Sequence, residues 1–139
     1  MTQFRNRVLF LGCGAVAECT LPIFFRLIEV DPHRVTILDF EDRAPLLREW
    51  MGRGATVVRD RVTPANLGAL LGNHLSRGDL LVDLAWNIDA GDILQWCHDH
   101  GVLYVNTSTE VWDPYGAHGH PTTRTLYARQ MNLRARISR

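Results

Sequence analysis

The sequence contains no lysine: all fifteen of its basic side chains are arginine. That absence excludes a Schiff-base lysine, the phosphate-gripping lysine of a P-loop, and the Tyr-x-x-x-Lys pair of short-chain dehydrogenases. Long apolar runs are missing as well. Arg26 and Glu29 interrupt the longest candidate before it reaches the roughly 20 residues needed to span a bilayer, so no membrane partner is expected. Net charge is absent too. Fifteen acids balance the fifteen arginines, which leaves no broad field to collect nucleic acid or anionic lipid.

Cysteine is scarce. Cys13, Cys19 and Cys97 show neither metal-ligand spacing nor a secretory signal before them, a pattern expected in a reducing cytoplasm. Cys13 and Cys19 read as small packing residues, although a helix N-terminus lowers a thiol pKa. The histidines fall mostly in two i,i+2 pairs, His98 with His100 and His118 with His120. On a helix such side chains diverge, and complementary ligands are missing, so no metal is expected.

What is present is the balance of one folded domain: 139 residues, 46% hydrophobic and 22% charged. Five short apolar runs, at Arg7 to Leu11, Val35 to Asp39, Thr56 to Arg59, Leu80 to Leu84 and Leu103 to Asn106, alternate with segments of helical periodicity. Most are continuous Val/Ile/Leu runs, as expected of parallel strands covered on both faces. Helices are predicted at Ala15 to Val30, Ala44 to Arg53, Pro64 to Leu75 and Asp89 to His100. Thr63 supplies an N-cap before Pro64, and Gly54 and Gly101 are placed to end helices in the left-handed conformation. Right-handed crossovers make strand order 3-2-1-4-5 the economical arrangement of a Rossmann-like, doubly wound α/β sheet.

Beyond Asn106 the periodicity stops. Thr107 to Pro121 carry turn and site-type residues, and Thr122 to Arg139 are predicted to form a helix capped by Thr122 or Thr123. Its late arginines complement the helix dipole. Its apolar face, with Leu126, Met131, Leu133 and Ile137, needs a surface to pack on, either an absent lobe or a second copy in a homodimer. Residues 1–115 are thus expected to form a nucleotide-binding domain. Residues 116–139 are expected to be a connector and helix leading to a substrate domain outside the chain.

The first strand runs into Gly12-Cys13-Gly14-Ala15-Val16-Ala17, a G-x-G-x-x-A fingerprint opening a helix. Gly12 permits the tight turn, Gly14 lets the backbone approach a pyrophosphate, and Ala17 lets helix and sheet pack closely. Asp39, 27 residues after Gly12 at the end of the second strand, is placed to accept hydrogen bonds from ribose hydroxyls and to repel a 2′-phosphate, which favours NAD over NADP. Methyltransferases also use a Gly-rich first loop, but Leu9-Phe10-Leu11 lacks the acidic residue they usually place before it. Glu18 suits the helix dipole and points away from the phosphates.

Three further stretches carry a resemblance: Thr20-Leu21-Pro22, Val82-Asp83-Leu84-Ala85-Trp86-Asn87, and Tyr104-Val105-Asn106-Thr107-Ser108-Thr109-Glu110-Val111-Trp112. With the Gly-rich loop they make the chain resemble the homospermidine synthases of the saccharopine-dehydrogenase-like group. Many of those relatives carry Gly where Ala17 and Cys19 stand here, and some carry Asp in place of Asn87, which leaves Asn87 a neutral hydrogen-bonding role or that of a helix cap.

The resemblance implies a cytoplasmic transferase that uses NAD as a recycled prosthetic group. A diamine such as putrescine gives up hydride, its imine exchanges amines with a second amine such as putrescine or spermidine, and the hydride returns. Glu110, Trp112 and Asn87 are the expected catalytic residues, a carboxylate and an aromatic face being what a diammonium substrate requires, with Asp113 a second candidate acid. Gly12, Gly14, Ala15, Val16 and Asp39 are expected to face the cofactor, with Thr63, Leu84, Ala85 and Thr107 completing its site. Trp86 and Trp96 read as packing residues. Two other readings stay open: a net oxidoreductase acting on a carboxylated imine, with Arg124 or Arg129 as carboxylate clamp, and a non-catalytic NAD-binding module.

Overall fold

A computed structural model describes residues 1–116 and 120–137. His118, Ser138 and Arg139 of the expected features lie outside them. Five parallel strands form the central sheet: β1 (Val8–Leu11), β2 (Val35–Asp39), β3 (Thr56–Arg59), β4 (Leu80–Asp83) and β5 (Leu103–Asn106). Their spatial order is 3-2-1-4-5, as expected. The helices are α1 (Ala15–Leu27), α2 (Arg48–Gly52), α3 (Leu67–His74), α4 (Ala90–His100) and α5 (Leu126–Ile137).

The alternation of a pleated strand divides the core in two. Val8 and Phe10 of β1 face one side, with Val35 and Ile37 of β2, Ala17 and Leu21 of α1, and Trp50 of α2. Leu9 and Leu11 face the other, with Leu38, Leu70, Leu71, Leu81 and Ile93. Because α1 and α2 cover one face and α3 and α4 the other, β1 must be apolar at every position, and all four of its residues are buried. On the first face Phe25 stacks on Trp50 with ring centroids 4.7 Å apart, and the Arg53 guanidinium sits 4.9 Å from the indole, closing that layer by a cation–π contact.

Several helix starts shift from the sequence expectation for local reasons. The segment expected to be helical from Ala44 is a turn until α2 begins at Arg48. Asp42 accepts from the Ala44 N–H, and the Leu46 and Leu47 amides turn back onto the Arg43 carbonyl, a local turn that competes with the helix. Thr63 and Asn66 exchange side-chain to backbone bonds (2.7 and 3.3 Å), which caps the turn leading into α3. Asp89, not Asn87, caps α4 by accepting from Gly91 and Asp92, and Gly101 ends it at φ +67°. Helix α1 stops at Leu27, since Ile28–Glu29 pair with Thr2–Gln3 in a two-stranded parallel ribbon with no signal in the sequence pattern.

The expected helix from Thr122 begins as a 3₁₀ turn over Pro121–Arg124. Helix α5 follows, its Ala128 N–H bonded to the Thr125 hydroxyl. Arg136 pairs with Asp92 at 3.5 Å and Arg129 donates to the Thr109 carbonyl, while Leu126, Tyr127 and Met131 stay exposed. Among the described residues no helix is long and apolar enough to cross a membrane.

Among the described residues the buried charged side chains are Asp39, Asp79 and Asp83. Asp79, at the amino end of β4, accepts from the backbone N–H groups of Arg7 and Ser76 and pairs with Arg7 Nε at 2.9 Å. Asp83, at the opposite end, accepts from the Tyr104 hydroxyl at 2.8 Å and the Ala85 N–H at 3.1 Å. Burial pushes its carboxyl up from 3.8 to about 6, against the lowering effect of those two bonds and with a further upward push from the charge of Glu110.

Replacing Asp79 orphans two amides, so Asp79→Ala is expected to cost about 2–4 kcal/mol, measurable by urea unfolding; a loss under about 0.5 kcal/mol would show those amides to be rehydrated. For Asp83 the folded carboxyl holds its proton above pH 4 while the unfolded one releases it, so its contribution to stability falls as pH rises through about 4 to 6. The stability of wild type relative to Asp83→Asn is therefore expected to decline across that window in pH-dependent melts, and a flat difference would overturn the assignment.

Candidate cofactor-binding site

The carboxyl ends of β1, β2 and β4 lie in register, with Leu11 opposite both Leu38 and Asp83. Above them opens a cleft of about 430 Å³, at the position where α/β sheets bind ligands, between strands whose connections diverge to opposite faces. Its floor is the turn from β1 into α1. Gly12 adopts φ +89°, and a Cβ there would stand 2.8 Å from the Cα and N of Ala85, so no other residue fits without moving one of two backbones. Gly12 N–H donates to the Leu38 carbonyl, and Leu84 N–H donates to that of Leu11 (both 2.8 Å). These bonds fasten the turn to β2 on one side and to the segment leaving β4 on the other.

Helix α1 starts from Gly14 with no side-chain cap, and the space where a Cβ of Gly14 would stand is empty to 4 Å. Uncapped amides at a helix start, facing open space, attract an anion through their N–H groups and the helix dipole. Cys13 is fully buried. Burial and the nearby Asp39 charge push its thiol up to about 11, so it is a packing residue and not an activated nucleophile.

Asp39 ends β2 beside this turn. One carboxylate oxygen accepts from Cys13 N–H at 2.6 Å and the other from Glu41 N–H at 2.8 Å. The carboxylate thus aligns the Gly-rich turn itself, and it retains lone pairs toward the cleft that it lines. Arg43, four residues on, bonds Glu41 at 2.7 Å and reaches within 3.6 Å of Asp39.

The opposite wall is the segment from Leu84 to Ile88. Asp83 beneath it holds the Ala85 amide. Asn87 takes φ +59°, and its Oδ1 is buried without a hydrogen-bond partner. A left-handed residue with an orphaned acceptor costs free energy, which a ligand donor would recover. Trp86, expected to pack internally, instead lines the cleft and is 68% exposed. Trp96 does pack, against the second core layer and over His100.

Of the residues expected to face the cofactor or substrate, the structure gathers Gly12, Gly14, Asp39, Leu84, Ala85 and Asn87 around the cleft. Ala15 and Val16 are exposed at the start of α1, and Thr107 is exposed after β5; Thr63 is engaged with Asn66. Glu110 borders a separate hollow of about 180 Å³ beneath α5, together with Arg129, and accepts from the Ser108 hydroxyl. Trp112 packs on the α3–α4 layer and donates its indole N–H to Asp92 at 2.8 Å. Phe40, Glu41, Arg43 and Arg61 line the cleft without having been anticipated. They follow directly on the ends of β2 and β3, and strand-end position was the available signal.

Comparison with known proteins agrees with this architecture. The chain is 33% identical over 131 residues to a homospermidine synthase of Mesorhizobium japonicum, a match covering 91% of this chain and 27% of that protein. It is 29% identical over 108 residues to a homospermidine synthase of Blastochloris viridis, covering 76% of this chain and 22% of that protein. The crystal structure of the Legionella pneumophila homospermidine synthase in complex with NAD superposes with a TM-score of 0.77 at 25% identity, over 93% of this chain and 27% of that one. The chain thus spans about a quarter of the length of the relatives it matches. The family described as the saccharopine dehydrogenase NADP binding domain matches residues 8–138, and the chain belongs to that family.

Proposed function

We propose that this chain is the NAD-binding lobe of an enzyme that transfers an aminobutyl group from putrescine to a second amine, with the dinucleotide recycled. The observation that carries the reading is the turn at Gly12, pressed against the Ala85 backbone and braced by Asp39, with open space over Gly14. The residues fit the group: Gly14 and the first amides of α1 would hold a diphosphate, Asp39 the adenosine ribose, and the orphaned Asn87 Oδ1 a donor at the far end. NAD, when bound, supplies reversible hydride acceptance, so that amine oxidation and imine reduction cancel. Similarity to two homospermidine synthases and to one solved with NAD supports the substrate class.

What the described residues contribute is binding and orientation. Glu110 and Trp112 sit on the segment following β5, away from the cleft, and their roles toward a diamine are part of this proposal. Residues 1–115 would form the cofactor domain and 116–139 the connector toward groups that complete the amine pocket.

Two measurements test the reading. The full-length protein carrying this chain, given putrescine and catalytic NAD, is expected to form homospermidine with no net accumulation of NADH; no product at saturating diamine would refute it. Asp39→Ala is expected to weaken NAD binding by about 1–3 kcal/mol through loss of charge-assisted hydrogen bonds to the ribose together with the brace on the Cys13 amide, measured by calorimetry, and unchanged affinity would remove Asp39 from the site.

A further inference from the structure

We infer that Glu41 and Arg43 decide which dinucleotide the cleft accepts, with Glu41 holding the Arg43 guanidinium away from a ribose 2′-phosphate. The inference rests on the dinucleotide reading above and identifies a determinant within it.

Three observations carry it. Asp39, Glu41 and Arg43 line the cleft together at the end of β2, where the adenosine ribose of a dinucleotide lies in this fold class. The Arg43 side chain is only 24% exposed, and its outer nitrogen is bound to Glu41 at 2.7 Å. Its Nε is buried without a hydrogen-bond partner, 3.6 Å from Asp39. A guanidinium is the side chain best matched to a phosphate, through two parallel N–H bonds. Here one edge of that fork is spent on Glu41.

Charge works in the same direction. The charged residues lining the cleft are Asp39, Glu41 and Asp60 against Arg43 and Arg61, an excess of one negative charge. Arg61 is itself placed over the Phe40 ring, 4.5 Å from its centroid. A 2′-phosphate would enter this surplus of carboxylates, whereas a 2′-hydroxyl finds acceptors. Selectivity therefore comes from a repulsive element as much as an attractive one. Asp39 cannot be altered cleanly, since it braces the Gly-rich turn through Cys13. Glu41 can: its side chain is 53% exposed.

The test is a fluorescence titration of NADH and NADPH on the wild type, Glu41→Gln and the double variant Glu41→Gln/Arg43→Met, with thermal melts to verify folding. The wild type is expected to prefer NADH. Glu41→Gln is expected to raise the ratio of NADPH to NADH affinity by about tenfold or more, the scale of one freed charge-assisted hydrogen bond, and removing Arg43 is expected to cancel that rise. A ratio unmoved by Glu41→Gln, or a rise that survives the loss of Arg43, overturns the inference while leaving NADH binding intact. A wild type that binds neither dinucleotide overturns it together with the reading on which it rests.

Discussion

The contact on which the rest of the site depends is backbone against backbone: the turn leaving β1 lies so close to the segment leaving β4 that a methyl group on Gly12 would meet Ala85 at 2.8 Å. Such proximity brings the amides at the start of α1 and the wall formed by Leu84 to Ile88 to one cleft. It is maintained from both sides. Gly12 and Leu84 each donate an N–H to a carbonyl at a neighbouring strand end, Asp39 fixes the Cys13 amide, and Asp83 fixes the Ala85 amide. The two aspartates end neighbours of the same central strand, so the sheet supplies a matched pair of braces at one edge.

Those braces have different electrostatic consequences. Asp83 is enclosed between β4, Tyr104 of β5 and the α4 layer, and burial raises its carboxyl into the range where it changes charge near pH 6. The same enclosure pushes the neighbouring Cys97 thiol up to about 12 and the Tyr104 hydroxyl upward as well. Below the cleft wall the Tyr104 hydroxyl and the Asp83 carboxyl satisfy each other, and the Ala85 amide is the carboxyl's second donor. Asp39 faces the opening and has a cation close by in Arg43, so it is suited to meet a polar ligand.

The five strands, their order and the Gly-rich turn were legible in the sequence because each is written in local chemistry: unbroken apolar runs demand cover on both faces, and glycine at a strand-to-helix junction answers to one backbone position. The position of Asp39 followed from the same rule. Its double duty did not, since the bond to the Cys13 amide is a contact between residues 26 apart. Glu41, Arg43 and Arg61 were missed because their types are common on any surface, and only the geometry of β2 and β3 turns them toward a cleft. Trp86 was misjudged because tryptophan is usually buried, a prior that the left-handed bend at Asn87 defeats by turning the loop outward. The late start of α2 reflects competition between a turn capped by Asp42 and a helical pattern that reads continuously.

The segment after β5 behaves differently from the rest of the site, and the reason is anchoring. Trp112 is drawn down to α4 by its bond to Asp92 and by apolar cover, and the Glu110 carbonyl accepts the Ala90 amide. The chain between Asn106 and Asp113 is thereby stitched to the amino end of α4 and not to the cleft. Helix α5 closes over the same region through Arg136 and Arg129, which leaves Glu110 in a small hollow of its own beside Arg129. The sheet thus presents two separated chemistries at one edge: a cleft built from backbone amides and the Asp39 carboxylate, and a side-chain hollow built from Glu110 and arginine. The start of α4 lies between them, with Ile88 lining the cleft and Asp89 and Gly91 lining the hollow.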